Sequence, residues 1–360
     1  MTTNSWSFEY LTSWDAVWNP SFVEQWSRWL DESPTAHVFF HPTMVRAWVE
    51  TYLPLRNIKP IFVVAKCGST TAFLPLVLWR RNWKNAWQRL LAPVGYSDFD
   101  YHDPILVGCE GHGGTAIDFW NALPASLLHT LGRDFDLLSI DGIRSPSAGQ
   151  GTGWTQGETC PWTDLTPFTK PEDFLPSLKR NLRNSIRRRQ HRITEAGGLS
   201  TITFGPEQTE EVLRELPAFL ETHSRRWPYA YKAPGFHSNL IRYGLPARLL
   251  LLHVVRFGGE IAASSIGFSF RGRYYAYMPA MVERFSNLSP GKMMMLYQYE
   301  HAIAIGNKIF DHLRGAEEYK SDWPTVVETL WQFDMPGAGA GAAFRNTVVT
   351  HVKPLLRRTK

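Results

Sequence analysis

The sequence predicts an α+β protein made of two domains that share one plan. Three observations carry that expectation. At 360 residues the chain is longer than a single hydrophobic core usually supports. Its composition, 44% hydrophobic and 20% charged with 15 Trp and 21 Phe, supplies enough apolar surface to offset the entropy of ordering the chain. Each half also repeats one order of patterns: a helical segment, a strand hairpin, a second helical segment and a short apolar strand containing Phe-Asp.

In the first half, "PTMVRAWVETYL" (Pro42 to Leu53) has helical spacing. "IFVVAKCGSTTAFLPLVLW" (Ile61 to Trp79) reads as two apolar strands turning at Gly68 and Ser69. An amphipathic helix and the strand "FDLLSIDGI", from Phe135, complete the set. Ser145 to Asp173 is rich in Gly, Pro, Ser and Thr and marks the boundary, with "CPWTDL" inside it as a strand at the junction. Domains are therefore expected at residues 1–160 and 161–360.

The second half begins with one long helix, Lys170 to Gly197, then a strand at Leu199 to Phe204 and a helix at Glu207 to Arg226. A helix at Gly235 to Tyr243 precedes strands at Leu249 to Phe257, Glu260 to Phe270 and Arg273 to Met281, the first two turning at Gly258 and Gly259. "SPGKMMMLYQYEHAIAIG" starts a helix with Ser289 at the cap and Pro290 in the first turn. "KIFDHL" is the Phe-Asp strand, "GAEEYKSDW" a loop, and Val326 to Phe333 a late strand in the second domain. "PGAGAGAAF" (Pro336 to Phe344) has the glycine spacing of a dinucleotide fingerprint, but too little chain follows to carry the ribose-binding acid. It reads as a flexible connection to a basic terminal helix.

Charge narrows the partners. Lys and Arg number 38 against 33 Asp and Glu, and seven of those cations fall in "SLKRNLRNSIRRRQHRI" (Ser177 to Ile193), leaving 31 against 33 elsewhere. The basicity is local, which disfavours a surface built for long nucleic acid. Along that helix Leu175, Leu178, Leu182, Ile186 and Ile193 form an apolar stripe, Arg180, Arg183 and Arg187 share one flank, and Arg188 and Arg192 the other. No acid within the basic stretch itself relieves the repulsion, so an external anion or a carboxylate from elsewhere is expected there.

Cys67, Cys109 and Cys160 show no C-x-x-C spacing and read as ordinary buried thiols. "MTTNSWSFEY" lacks a secretory pattern, and "LLLLHVV" (Leu249 to Val255) is far short of the roughly 20 residues that cross a bilayer, so a cytoplasmic protein without a membrane span is expected. The 12 His show no metal-ligand spacing, so no metal is expected, and G-x-S-x-G does not occur. "SPGKM" fails as a nucleotide-hydrolase loop because Ser286 and Met293 stand where Gly and Ser or Thr are needed. It remains a helix start that suits an anion.

Four motifs in order, "LKRNLRNSIRRRQHRITEAGG", "ETHSRRW", "LSPGKMM" and "FDHLRGAEEYKSDW", make residues 170–323 resemble the acyltransferase domain of the CelD/BcsL-type proteins, a GNAT-superfamily branch linked to bacterial cellulose and exopolysaccharide synthesis. The first half is similar to the partner domain of the tandem arrangement in FemABX (FemAB-like) aminoacyltransferases. The resemblance implies two GNAT-like domains in tandem, each a mixed, mostly antiparallel sheet flanked by helices. It implies an acetyltransferase using acetyl-CoA or another acyl-CoA, with an amine or hydroxyl acceptor. On this sequence it implies donor binding by Tyr277 in the strand Arg273 to Met281 and by Ser289, Gly291 and Lys292, with Gly291 the only glycine of the phosphate cradle. Arg180, Arg183, Arg187, Arg226 and Trp227 are the expected anion or substrate contacts.

Direct transfer needs a base for the acceptor, a donor for the oxyanion and an acid for the leaving thiolate. His223, Glu283, His312 and Glu317 are candidate bases, Tyr319 the acid, and Lys320 an anchor for an anionic group. Asp311, in an apolar strand, needs a partner, for which Arg226 is a candidate. The leading expectation is an acyltransferase of envelope polysaccharide metabolism acting on a small-molecule or saccharide acceptor. Two alternatives stand beside it: a FemABX-like transferase drawing on aminoacyl-tRNA, and an inactive GNAT-like module within a polysaccharide synthase complex.

Overall fold

The computed structural model describes residues 5–96, 98–108, 115–144, 153–195, 197–228 and 233–352. Cys109 and the first eight residues of the expected boundary stretch, 145–152, lie outside them; Cys67 and Cys160 are buried. The chain divides into two units, residues 1–158 together with 329–360, and residues 159–328.

In the first unit β1 (Ser7–Leu11) is followed by helices α1 (Trp14–Val17), α2 (Pro20–Glu32) and α3 (Pro42–Arg56). The expected hairpin forms from β2 (Lys59–Cys67) and β3 (Thr70–Arg80), in antiparallel register through Val63↔Leu74. Next come β4 (Arg89–Pro93), β5 (Ile105–Val107), α4 (Ala116–Leu131) and β6 (Leu137–Ile143), with β6 parallel to β4. The aromatic wealth of the sequence goes into this core. Trp26 is fully buried against Phe62 and Phe73, and its indole donates to the Phe40 carbonyl at 2.9 Å, so the polar edge of the ring is satisfied.

The second unit takes up the plan again. β7 (Trp154–Asp164) leads to α5 (Phe174–Ser177), α6 (Arg180–Glu195), β8 (Leu199–Phe204), α7 (Thr209–Arg226) and α8 (Phe236–Gly244). β9 (Leu250–Phe257), β10 (Glu260–Phe270) and β11 (Arg273–Met281) form an antiparallel meander. α9 (Pro290–Ala304) then crosses over to β12 (Ile309–Asp311), which runs parallel to β11 and precedes α10 (Glu318–Ser321). Strand order is β7-β12-β11-β10-β9-β8. Alternation in β9 sorts the layers: Val255 and Phe257 join the core under α6 and α9, while Leu252 and Val254 face α7.

Three expectations are corrected. The single helix at 170–197 is broken: Leu178 is extended (ψ 152°), and the Arg183 guanidinium donates to the carbonyls of Pro176 (2.6 Å) and Leu178 (3.2 Å) that the break exposes. The last strand, β13 (Val326–Pro336), pairs with β6 in the first unit (Trp331↔Ile143 to Pro336↔Leu137), where the sequence had put it in the second domain. The Gly-Ala run is also no loose connection: α11 (Ala340–Thr347) starts within it, and Arg345 bonds the buried Asp136 at 2.7 and 2.9 Å.

The repeated Phe-Asp now has a physical meaning. Asp136, ahead of β6, takes Arg89 from the start of parallel β4 at 2.8 Å; Asp311, ending β12, takes Arg273 from the start of parallel β11 at 2.7 Å. In both units a buried carboxylate is compensated by an arginine on the neighbouring strand, as burial demands. Asp311's ion-pair partner is thus Arg273, not Arg226.

Candidate active site

β11 and β12 pair over three residues only, Arg273↔Ile309 to Tyr275↔Asp311, after which β11 runs on to Met281 beside β10 without β12. Against β10 the register slips, so that Gly267 faces Ala276 and Ile266 faces Met278, leaving Tyr277 as the extra residue of a bulge. The two strands therefore part, and a cavity of about 220 Å³ lies at the end of β11.

The start of α9 forms one wall. Ser289 is left-handed (φ 54°, ψ 60°) and gives α9 no side-chain cap, because its hydroxyl accepts from Arg189 Nε at 2.6 Å instead. Pro290 has no N–H to satisfy, and the first turn is left open toward the cavity. At Gly291 a Cβ would lie 2.6 Å from the Met281 sulfur, so glycine leaves room for that side chain between α9 and β11. Lys292 lines the cavity and pairs with Asp322 at 2.9 Å. Deeper in, Gln298 donates to Ser265 Oγ and Tyr274 Oη, both at 2.9 Å, which fixes its amide on the floor.

The other walls come from the ends of α7 and β12. Arg226 lies over the Trp227 ring, 5.0 Å from its centroid, and donates to the Met281 sulfur at 3.8 Å. Tyr319 and Trp323 close the far side. Burial, and then the charge of Glu317, push the Tyr319 phenol up to about 12 against the pull of Arg226, so it stays protonated and is a proton donor at neutral pH.

His223 sits behind this wall. Its Nδ1 donates to the Pro279 carbonyl at 2.7 Å, its ring stacks on Trp227 at 4.8 Å, and among the described residues its buried Nε2 has no hydrogen-bond partner. Burial lowers its pKa despite the Pro279 bond, so the imidazole is neutral with Nε2 as the basic nitrogen.

The structure therefore brings Tyr319, Glu283, Ser289, Gly291, Lys292, Arg226 and Trp227 to one cavity, with His223 touching two of its lining residues. It does not bring in the rest. Lys320 is buried and donates to the carbonyls of Arg314 (2.6 Å) and Gly315 (3.2 Å) and to the Glu317 carboxylate (2.8 Å), so lysine and glutamate brace the loop rather than face the cavity. His312 Nε2 meets Tyr299 Oη at 2.7 Å inside the core, and burial, then Lys320, depress its pKa to about 3. Tyr277 packs by Phe268 and His237 on the α8 side. Arg180 and Arg187 are exposed on α6 and do not line the cavity, Arg180 sharing a different hollow with Asp322, and Arg183 is spent on the helix break.

Arg189, Met281, Gln298 and Trp323 are the residues the sequence reading missed. For Arg189 a signal existed: it falls three residues after Ile186 and four before Ile193, on the docked stripe, where a cation must point at something inside. Among the described residues no cluster of His, Cys, Asp and Glu suits a metal ion, and no helix is long and apolar enough to cross a membrane.

Comparison with known proteins agrees with this layout. Residues 180–321 match the model of the acetyltransferase (GNAT) domain. The crystal structure of FemX is similar with a TM-score of 0.59 at 10% identity, over 91% of this chain and 97% of FemX. L-PGS from Bacillus licheniformis gives 0.54 at 12% identity, over 93% of this chain and 96% of the other. A tandem GNAT protein from the clavulanic acid biosynthesis pathway gives 0.50 at 12% identity, over 93% and 100%. No curated protein matches the sequence. The fold is thus two GNAT-like domains in tandem, and the cavity lies in the part of the chain that matches the GNAT acetyltransferase domain.

Proposed function

We propose that the second unit transfers an acyl group from acetyl-CoA or another acyl-CoA to an amine or hydroxyl of a saccharide, in bacterial cellulose or exopolysaccharide synthesis in the cytoplasm. The observation that carries the reading is an apolar cavity ending at an uncapped helix start with a guanidinium beside it: Gly291 leaves the space and Arg189 supplies the charge. These residues fit the donor, since the helix dipole and an arginine beside the helix start both favour a pyrophosphate there. When bound, the thioester supplies an activated carbonyl and a thiol leaving group.

The chain's own residues do the rest. Arg189, Lys292 and the first turn of α9 hold negative charge at the mouth, while Met281, Met294 and Trp323 exclude water from the interior. Glu283, which lines the cavity, takes the acceptor's proton, while His223, held by the Pro279 carbonyl and stacked on Trp227, fixes the wall behind it. Tyr319 Oη gives a proton to the departing thiolate, and the proton taken from the acceptor returns to the phenolate through solvent, which resets the site after each turnover.

Thermal unfolding with increasing acetyl-CoA tests this. Saturable stabilisation of about 2.7 kcal/mol at a hundredfold excess over Kd is expected, and no shift up to millimolar donor refutes it. One observation favours a second reading: Arg180, Arg187, Arg188 and Arg192 are exposed on α6, the arrangement a charged tRNA acceptor arm would use. Steep loss of aminoacyl-tRNA binding with salt, alongside indifference to acetyl-CoA, would select it.

A further inference from the structure

On the other face of the same sheet the second unit holds a separate hollow of about 190 Å³. Phe204, Leu252 and Val254 line it from the strands, and Val212, Leu216 and Phe219 from α7. Close-packed interiors seldom leave a void larger than one water, and an apolar cavity of roughly 150 Å³ stays dry and accepts an apolar guest. The charged residues along its lining, Glu211, Glu215 and Arg256, reach the surface and leave the interior hydrocarbon in character. Ser264 and Val282 line both this hollow and the cavity at α9, so the two adjoin near the start of β10 and the end of β11.

We infer that this hollow receives the alkyl chain of a long acyl group whose carbonyl lies in the α9 cavity, which makes the substrate class a medium- to long-chain fatty acyl thioester. The inference rests on the acyl-transfer reading and extends it. A lining of aliphatic and aromatic side chains rewards each buried methylene and asks for no hydrogen bond, which suits a saturated chain and discriminates against a charged or hydroxylated one. The shared lining at Ser264 and Val282 is what selects a chain over a compact apolar molecule, because a chain bound by its carbonyl in the α9 cavity would pass between those two residues into the hollow.

Isothermal titration of the full-length protein with acetyl-, butyryl- and octanoyl-CoA tests it. Octanoyl-CoA is expected to bind at least tenfold more tightly than acetyl-CoA, since a fully buried methylene is worth about fourfold. Val254→Phe, which fills the hollow, should remove that gain and leave acetyl-CoA binding unchanged. Because overpacking can unfold the unit, Leu216→Ala is the second variant: it enlarges the hollow and should move the preference toward decanoyl-CoA. Equal affinity for acetyl- and octanoyl-CoA, or a gain that survives Val254→Phe in a folded variant, overturns the inference while the donor reading stands. If no acyl-CoA binds, the donor reading fails, and free octanoate against butyrate decides the hollow. Octanoate binding that Val254→Phe abolishes upholds it, and no octanoate binding overturns it.

Discussion

Lys320→Met separates a structural ammonium from a catalytic one. The side chain is 4% exposed, and its Nζ lies 2.6 Å from the Arg314 carbonyl, 3.2 Å from that of Gly315 and 2.8 Å from the Glu317 carboxylate. Hydrogen bonds from a charged donor contribute about 1.5–3 kcal/mol each, and the two carbonyls lose most of that when the donor goes. The half-exposed Glu317 adds at most about 1 kcal/mol. Methionine fills a similar volume and returns roughly 1 kcal/mol through burial. The net loss is about 2–4 kcal/mol, which for a unit of this size lowers the midpoint by roughly 5–12 °C. The loop depends on this brace because Leu313 (φ 60°) and Gly315 (φ 109°) are both left-handed, and Tyr319 follows them. Scanning calorimetry of the variant measures the shift. A midpoint within about 1 °C of the wild type, together with abolished transfer, would refute the reasoning and return Lys320 to the chemistry.

Three further outcomes follow from the same geometry. Arg189→Met should raise the Kd for acetyl-CoA about tenfold, the loss of one charge-assisted contact, and an unchanged Kd by titration removes Arg189 from donor binding. His312 stays neutral in the fold down to about 3, whereas the unfolded chain takes up that proton near 6.5. Its contribution to stability is therefore complete above pH 6.5 and falls away toward pH 3 by about 1.4 kcal/mol per pH unit, a slope that His312→Gln should flatten in urea melts. Burial, then the charge of Glu172, raise the Glu300 carboxyl to about 7, so its contribution has the opposite sign, present below pH 4.5 and lost as pH rises through 7. Glu300→Gln should gain thermal stability over the wild type at pH 8 and match it at pH 4; equal melting at pH 8 disproves the buried carboxylate.

The order of elements was legible because each was written in a local signal. The hairpin β2–β3 was bounded by its Gly-Ser turn, and α9 was marked by Ser289 and Pro290. Part of the candidate site came with them, since Ser289, Gly291, Lys292, Tyr319 and Trp227 sit in or beside recognisable elements. Lys320 and Arg183 were read as ligand-facing because sequence shows a charge but not the carbonyls it meets. Those carbonyls belong to a left-handed loop and to a helix break that no periodicity announces.

Local chemistry thus dictated that there would be two α+β bodies, where the helices and strands would start, and that a glycine would stand at the opening of α9. Folding in three dimensions decided matters that depend on distant partners: β13 pairs with β6, Arg273 rather than Arg226 neutralises Asp311, and Arg189 is the member of the basic stretch that reaches Ser289. The reason is physical. Propensity, capping and periodicity act over a few neighbouring residues, whereas strand pairing and buried charge compensation are settled by which surfaces pack together across the whole chain.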